Sequence, residues 1–278
     1  MRDITYTVNR LVARHQGSLP VILTCPHGGD EKPPGVQKER TGAGLPAECR
    51  FEKNRDSFTR TITRGVAQAL FDVFGQEPYV VFANFARDYI DANRSSSPLN
   101  SSSPLNCAFE DPDAGPFYDE YHNRIRNFVD EIRRNNGGLG LLFDLHGTKR
   151  VASDPADLYF GTLDGASIVS LTTRDASAST RRRSVIGLLR EQGYVVSAKT
   201  PETIRGGFTL EAYGSSNPDG LDAIQIEIET TLRTDSSKRD VFIEDLAQAF
   251  SSLIARYADS DTLAIYRTAS FIPSLPRG

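Results

Sequence analysis

Two of the chain's four histidines occupy closely similar settings. The apolar segment 21–25 is followed by Pro-His-Gly-Gly-Asp at 26–30, and the segment 139–143 is followed by Asp-Leu-His-Gly at 144–147. Imidazole and carboxylate groups bind zinc in catalytic sites, where three protein ligands leave one position open. Each histidine taken alone has an ordinary alternative, a core residue bonded to the backbone. The matched pair, each with a carboxylate nearby, favours a metal site.

We predict that His27, Asp30 and His146 are the metal ligands. The paired glycines after His27 allow a tight turn, so that two side chains three residues apart can converge on one ion. Asp144 precedes His146 by two residues and leaves the same face of a strand, where it can hold the imidazole in one orientation. The prediction requires the two rings to lie within roughly 8 Å, because Zn–N bonds are about 2 Å long.

Arginine residues near predicted strand ends are candidates for binding a substrate carboxylate or a developing oxyanion. Arg87, Asn93 and Arg94 follow the apolar segment 79–83, and Arg205 precedes two glycines. A guanidinium binds a carboxylate through two parallel hydrogen bonds, and a neighbouring amide adds a donor. A solvated surface arginine is the usual alternative for each of them alone.

Two carboxylates in the segment 223–229 are candidates for a general base. Glu227 and Glu229 alternate with isoleucines, so both belong to the polar face of a predicted strand. A carboxylate beside a bound metal can take a proton from water and pass it to a leaving amine. The pattern leaves open which of the two serves, and an exposed edge strand would also explain it.

The elements that must position these residues alternate between strands and helices. Strands are predicted at 20–25, 79–83, 139–148, 157–162, 194–196 and 223–229, and helices from about 56 to 75 and at 117–132, 175–192 and 240–257. This alternation predicts a single doubly wound α/β domain over residues 1–278, with a mixed, mostly parallel sheet flanked by helices. Ligands of such sheets bind beyond the carboxyl ends of the strands. The tandem Ser-Ser-Ser-Pro-Leu-Asn copies at 95–106 predict a mobile surface loop.

The composition is that of an ordinary soluble protein. The 278 residues are 38% hydrophobic and 24% charged, with a net charge of −4, so we expect no nucleic-acid or membrane partner. Cys25, Cys49 and Cys107 are odd in number and widely spaced. Together with the absence of a signal-peptide pattern, they lead us to expect reduced thiols in a cytoplasmic protein. A Gly-x-Ser-x-Gly elbow and a Gly-x-Gly-x-x-Gly fingerprint are both missing, so serine-hydrolase and dinucleotide chemistry are unsupported.

The motifs together resemble those of the N-formylglutamate amidohydrolase family. The matching segments are Pro-His-Gly-Gly at 26–29, Asp-Ala-Asn-Arg at 91–94, Asp-Leu-His-Gly at 144–147 and Ile-Gln-Ile-Glu at 224–227, the last preceded by Gly-Gly at 206–207. They occur in order across residues 20–232. The resemblance implies a fold related to that of zinc carboxypeptidases and aspartoacylases, a Zn²⁺ cofactor, and hydrolysis of the amide bond of an N-formyl or N-acyl amino acid.

The resemblance also implies a role for individual residues. They are the zinc ligands His27, Asp30 and His146, the carboxylate-binding Asn93 and Arg94, the carbonyl-polarising Arg87, and the base Glu227. Asp30 stands where the carboxypeptidase pattern has glutamate. Because aspartate is shorter, either the loop lies closer to the ion or Glu31 is the ligand instead. Two other functions fit the same site, a metallocarboxypeptidase acting on peptides or γ-glutamyl substrates and a non-catalytic binder of carboxylated ligands.

Overall fold

The computed structural model describes residues 5–6, 10–99, 105–176, 184–199 and 202–257. Its strands are β1 (Thr5–Tyr6), β2 (Val12–His15), β3 (Leu19–Cys25), β4 (Pro78–Ala83), β5 (Leu141–Thr148), β6 (Leu158–Gly161) and β7 (Asp222–Glu229). They form one sheet in the order β1-β2-β4-β3-β5-β7-β6. The central strands β4, β3, β5 and β7 are parallel, whereas β1, β2 and β6 join antiparallel to their neighbours.

Helices cover both faces of this sheet. The α-helices of the described residues are α1 (Thr59–Phe74), α2 (Gly115–Asn135), α3 (Val169–Arg174), α4 (Val185–Glu191), α5 (Phe208–Tyr213), α6 (Thr230–Thr234) and α7 (Ser236–Tyr257). The predicted class, a doubly wound α/β fold with a mixed, mostly parallel sheet flanked by helices, is therefore confirmed.

Alternate residues of the central strands supply two separate hydrophobic cores. Val21 and Leu23 of β3 pack with α1 and α7, and on the same face Phe143 of β5 stacks on Phe250 with ring centroids 3.7 Å apart. Ile22 faces the opposite side, where α2 and α5 pack. Because both faces are covered, β3 and β4 are apolar along almost their whole length instead of alternating with polar residues, whereas β5 and β7 also carry polar residues.

Several predicted elements differ in the structure. Of the helix predicted at 175–192, the described residues form α4 (Val185–Glu191), whereas α3 ends at Arg174, before the predicted start, and residues 177–183 lie outside the described residues. The segment 194–196 makes only an isolated bridge between Val196 and Leu158. β1 and β2 were not predicted. The predicted polar face of β7 is largely buried, since α5 and the loops around the site pack over it.

The expectation of three reduced cysteines is wrong. Cys49 and Cys107 form a disulfide, and Cys25 is the one free cysteine, fully buried. The two bonded residues are separated by 58 positions and meet only in the folded chain. No local spacing pattern could therefore reveal the pair.

Two further expectations concern the extent of the fold. The single domain over residues 1–278 and the mobile loop at 95–106 stay predictions, and residues 100–104 and 258–278 lie outside the described residues. On either side of the first gap, the main-chain N–H of Leu99 donates to the carbonyl of Leu105 at 2.9 Å. Among the described helices, none is both long and apolar enough to cross a membrane.

Candidate metal centre

The two histidines singled out by the sequence meet at the carboxyl end of the sheet. His27 follows the end of β3 at Cys25, and His146 lies on the neighbouring strand β5. Their ring centroids are 4.9 Å apart, with the ring planes at 69°. The prediction that these rings approach one another is therefore confirmed.

The carboxylate between the two rings belongs to Asp56. Its Oδ2 atom lies 3.4 Å from Nδ1 of His27 and 3.4 Å from Nδ1 of His146. One ligand atom from each of these buried residues lies within 4.8 Å of the other two. Two imidazole nitrogens and one carboxylate oxygen are the donor set of many catalytic zinc sites.

Main-chain hydrogen bonds bring Asp56 to this position. Its N–H donates to the carbonyl of His27 at 3.0 Å, and its own carbonyl accepts from the N–H and hydroxyl of Thr59 at the start of α1. Arg233 is a buried residue of α6, the helix that follows β7, and its Nη1 donates to the carbonyl of Ser57 at 2.7 Å. In sequence, Asp56 only marks the start of a helix, so the contact with His27 had no local signal.

The prediction of Asp30 as the carboxylate ligand is not met by the structure. Its N–H and that of Glu31 both donate to the carbonyl of Asn84 at the end of β4, at 3.0 and 2.9 Å. This pairing turns the Asp30 side chain away from the rings, where it is 55% exposed and forms an ion pair with Arg55. Glu31 is exposed as well. Neither belongs to the group formed around Asp56.

A second carboxylate holds the far side of each ring. Nε2 of His27 lies 2.7 Å from Oδ1 of Asp91, and Nε2 of His146 lies 2.8 Å from Oδ2 of Asp144. A proton on each Nε2 satisfies these contacts and leaves the Nδ1 lone pairs facing Asp56. This is the arrangement in which carboxylates orient metal-binding imidazoles, and it includes the predicted Asp144 contact.

The charges around Asp56 and Asp91 favour the ionised form of these two carboxylates. Burial by itself raises the pKa of Asp56, but the hydrogen bonds and charges of His146 and His27 bring it below its ordinary value. Burial likewise opposes ionisation of Asp91, and there the Arg87 charge and His27 bring the pKa well below the usual range. Burial also disfavours the charged form of His146, but the Asp144 carboxylate raises the pKa of that imidazole well above its usual value. Without a metal, the second proton of His146 would therefore lie on Nδ1 towards Asp56, and a bound cation would replace it.

One polar atom of the centre lacks a partner, which allows a test of whether a metal fits. Among the described residues, Nδ1 of His27 is buried and makes no hydrogen bond. Buried polar atoms are rarely left unpaired, and a lone pair facing a carboxylate oxygen is stable only with a positive charge between them. His27, Asp56 and His146 therefore fit a divalent cation.

Glu227 and Arg87 flank this group. Glu227 is the direct partner of His146 in the register of β5 and β7, and its Oε1 accepts from Nε2 of Gln225 at 2.9 Å. Burial raises the pKa of Glu227, and the Asp56 charge adds to that effect against the opposing His146 and Arg87. Glu229 instead caps α6, accepting from the N–H of Thr231 at 2.7 Å, so geometry favours Glu227 as the residue available to a ligand.

The Arg87 guanidinium is shared between the protein and the cleft. Its Nε and Nη2 atoms lie 3.0 and 2.9 Å from Oδ2 of Asp91, while Nη1 lies 3.9 Å from Oδ1 of Asp56. The side chain is 8% exposed and lines a cleft of about 410 Å³ together with the two histidines and Glu227.

The predicted carboxylate-binding residues line the same cleft, but most of their polar atoms bind the protein itself. The Asn93 amide accepts from the N–H of Thr209 at 2.9 Å and donates to Gln225 at 3.1 Å. Every nitrogen of the Arg94 guanidinium donates to a main-chain carbonyl, those of Cys49, Asn93 and Arg50, at 2.7 to 2.9 Å. Arg94 therefore links two loops of the protein by hydrogen bonds and is a poor candidate for binding a substrate carboxylate.

Arg205 lies at the outer part of the cleft. Its Nε atom donates to Oδ2 of Asp164 at 2.5 Å, and the side chain is 51% exposed. Next to it, a Cβ atom on Gly207 would lie 2.5 Å from Nδ2 of Asn93. The glycine thus allows the Arg205 loop to approach the metal centre closely, which agrees with its predicted place beside the site.

Comparisons with known proteins agree with this geometry. The model of the N-formylglutamate amidohydrolase family matches residues 19–110 and 113–233. The crystal structure of N-formylglutamate amidohydrolase from Ralstonia eutropha JMP134 is similar with a TM-score of 0.61 and 19% identity, over 88% of this chain and 97% of that one. A gene product of Agrobacterium tumefaciens is similar with a TM-score of 0.56 and 17% identity, over 89% and 96% of the two chains.

At these identities the structural likeness shows the fold, and a search of curated proteins found no significant match. The family model, however, spans well over half of the chain, including both histidines, Asp56 and Glu227. The chain therefore belongs to the N-formylglutamate amidohydrolase family.

Proposed function

We propose that the protein is a zinc-dependent hydrolase that cleaves the amide bond of an N-formyl or N-acyl amino acid. The observation that carries the proposal is the buried pair of Nδ1 atoms, on His27 and His146, that face one oxygen of Asp56 beside Glu227. Membership of the family supports amide hydrolysis, and the donor set supports a metal.

His27, Asp56 and His146 would hold the zinc. When bound, Zn²⁺ supplies a Lewis acid for the amide carbonyl and lowers the pKa of its water from ~15.7 towards ~7. Asp91 and Asp144 would keep the two rings oriented, because each already binds the Nε2 side of its histidine. Such outer carboxylates typically change metal affinity or activity by about 10- to 100-fold when removed.

Glu227 would move the proton. Its carboxylate takes a proton from the attacking water and delivers it to the departing nitrogen, so that the amine leaves as a neutral group. The raised pKa of this buried carboxylate suits both halves of that transfer. Arg87, which keeps Nη1 close to the centre, would stabilise the negative charge that develops on the carbonyl oxygen.

The first test is the metal content and activity of the purified wild-type chain. We expect close to one zinc per chain after refeeding and release of formate from N-formylglutamate, lost with a chelator and restored by zinc. Less than about a tenth of an equivalent of any transition metal after refeeding would refute the zinc site, because a built site binds metal tightly.

A substrate panel separates the proposed activity from its two rivals. N-formyl and N-acyl amino acids should be hydrolysed faster than α- or γ-glutamyl peptides at equal concentration. Preferential cleavage of the peptides would favour a metallocarboxypeptidase. A full metal site that binds N-formylglutamate without turnover would favour a non-catalytic binder.

A further inference from the structure

Among the residues that the structure describes, four arginines line the cleft, and they differ in what their guanidinium groups contact. Arg87 forms an ion pair with Asp91, and Arg205 forms one with Asp164. Arg94 donates hydrogen bonds to main-chain carbonyls. Arg50 lines the cleft with an exposed side chain. Within the part of the chain that the structure describes, its guanidinium makes no hydrogen bond or ion pair.

The backbone at Arg50 is held firmly although its side chain is free. The preceding residue, Cys49, forms the disulfide with Cys107. Nε and Nη2 of Arg94 donate to the carbonyls of Cys49 and Arg50 at 2.7 and 2.9 Å. From the other side, Nη1 of the buried Arg40 donates to the carbonyl of Glu52 at 2.9 Å.

The backbone conformation of Arg50 is unusual for this residue type. Its φ and ψ angles are 45° and 58°, in the left-handed region that residues other than glycine rarely adopt. The disulfide and the Arg94 contacts on both carbonyls maintain this conformation. They place an arginine where glycine would be the easier choice, at the wall of the cleft.

We propose that Arg50 binds a carboxylate of the substrate, and that the Cys49–Cys107 disulfide and Arg94 hold it in place. This inference rests on the proposed function, and it moves the carboxylate-binding role from Arg94 to the neighbouring loop. A free guanidinium binds a carboxylate through two parallel charge-assisted hydrogen bonds.

The charge of the cleft wall supports the same choice. Glu48 and Glu211 also line the cleft and are exposed, so a substrate carboxylate can bind there only beside a cation that offsets their repulsion. Arg50 and Arg205 are the exposed cations of this wall among the described residues. Arg205 is already neutralised in part by Asp164, which leaves Arg50 as the stronger partner for an anion.

The test is Arg50→Gly, which removes the guanidinium and fits the left-handed backbone, so that folding is retained. We expect KM for N-formylglutamate to rise about 10- to 100-fold while kcat changes less than about threefold, since the lost contact binds substrate and transition state alike. Arg50→Lys retains the charge but lacks the two parallel N–H donors of the guanidinium, so it should give a smaller rise in KM. Arg134→Ala is the matched control, an exposed arginine of α2 that does not line the cleft.

Two amides of the substrate identify the carboxylate. N-formylglutamine lacks the side-chain carboxylate, and N-formylisoglutamine lacks the α-carboxylate. The effect of Arg50→Gly should vanish on the amide that lacks the group bound by Arg50. An unchanged KM in Arg50→Gly for all three compounds would overturn the proposal.

The double variant Cys49→Ser/Cys107→Ser tests whether the disulfide holds Arg50 in place. It should raise KM in the same direction by a few-fold while zinc content stays at the wild-type level, because Asp56 is held by its own hydrogen bonds to His27 and Thr59. A raised KM in Arg50→Gly with an unchanged KM in the double variant would refute the holding role of the disulfide.

Direct binding keeps this test separate from the proposed activity. Calorimetric titration of the zinc-loaded protein with glutarate measures carboxylate affinity without turnover. If wild-type protein turns over no N-acyl amino acid yet binds glutarate about tenfold more tightly than Arg50→Gly does, the amidase proposal fails and the Arg50 inference stands. Equal affinities would refute the Arg50 inference whatever the activity.

Discussion

His146 and Glu227 stand side by side on adjacent parallel strands, as direct partners in the register of β5 and β7. Neighbouring strands lie about 4.8 Å apart, so the Glu227 carboxylate is held beside the ring that faces Asp56. The relationship is set by two strands of the sheet core and not by a loop. It therefore places a proton acceptor next to the candidate metal centre with little freedom to move.

Replacing this carboxylate tests its role directly. Glu227→Gln retains the size of the side chain and removes the proton acceptor, so kcat for amide hydrolysis should fall by about 10²- to 10⁴-fold. Zinc content, measured by mass spectrometry of the dialysed protein, should stay at the wild-type level.

The control for that variant lies two residues along the same strand. Glu229 caps α6, so Glu229→Gln should cost roughly 1 kcal/mol of unfolding free energy and leave kcat nearly unchanged. Equal losses of kcat in both variants would mean that the strand, and not the Glu227 carboxylate, determines activity.

The identity of the carboxylate ligand gives a second prediction. Asp56→Asn should weaken zinc binding by at least about 100-fold, because an amide replaces the carboxylate that faces both Nδ1 atoms. Asp30→Asn, which changes an exposed carboxylate outside the group, should alter zinc affinity less than about threefold. Competition with a chromogenic chelator measures both constants, and the reverse order would restore Asp30 as the ligand.

Most of the correct predictions from the sequence came from the periodicity of the strands. The apolar runs before His27 and His146 are buried parallel strands, and the spacing of two put Asp144 on the same face as His146. The bond between Asp144 and His146 then follows from the pleat alone. The alternation of polar residues with isoleucines likewise placed Glu227 and Glu229 on one face of a strand, but it left open which of the two serves.

The remaining contacts depend on loops whose approach is set by tertiary structure. Asp56 reaches the rings through a main-chain bond to His27, a residue far from it in sequence. For Arg94, residue type and position could not distinguish a ligand from the protein's own carbonyls as the guanidinium's partner. Asp30 was misplaced because its backbone pairs with Asn84 at the end of β4, and no local pattern encodes that pairing.

The disulfide gives a third prediction, which counts thiols. In denaturant without a reductant, one thiol per chain should react with an alkylating reagent, and Cys25 should be the modified residue in the peptide map. In the folded protein Cys25 should react slowly, because burial raises the pKa of its thiol to about 12. Three reactive thiols in denaturant would show that Cys49 and Cys107 are reduced.

A glycine beside the metal centre gives a fourth prediction. A Cβ atom on Gly29 would lie 2.2 Å from the main-chain carbon and oxygen of Asn84, so the turn after His27 would have to move. Gly29→Ala should lower the unfolding free energy by on the order of 3 kcal/mol and weaken zinc binding. Gly115→Ala is the control, since its Cβ would meet only Phe109 at 3.6 Å, and its stability should match or slightly exceed that of wild type.

His122 gives the last prediction, on acid stability. The ring is buried, with Nε2 donating to the carbonyl of Ala92 at 3.0 Å and Nδ1 lying 2.9 Å from the hydroxyl of Tyr213. Burial lowers the pKa of His122 from 6.5 to about 4. Between these values the unfolded chain binds a proton that the folded chain does not, so stability is complete above pH 6.5 and falls as the pH is lowered towards 4.

The loss from this one group is on the order of 3 kcal/mol, and a non-titrating variant isolates it. Urea unfolding of metal-free wild type and His122→Gln at pH 7 and pH 4 gives four free energies. Wild type should lose more stability than the variant over this interval, by an amount approaching that figure. Because the Ala92 carbonyl bound by His122 directly precedes Asn93, the variant should also shift the position of Asn93 at pH 7. Equal losses in the two proteins would mean that His122 is already protonated in the fold, with Nε2–H donating to the Ala92 carbonyl and Nδ1–H donating to the Tyr213 hydroxyl.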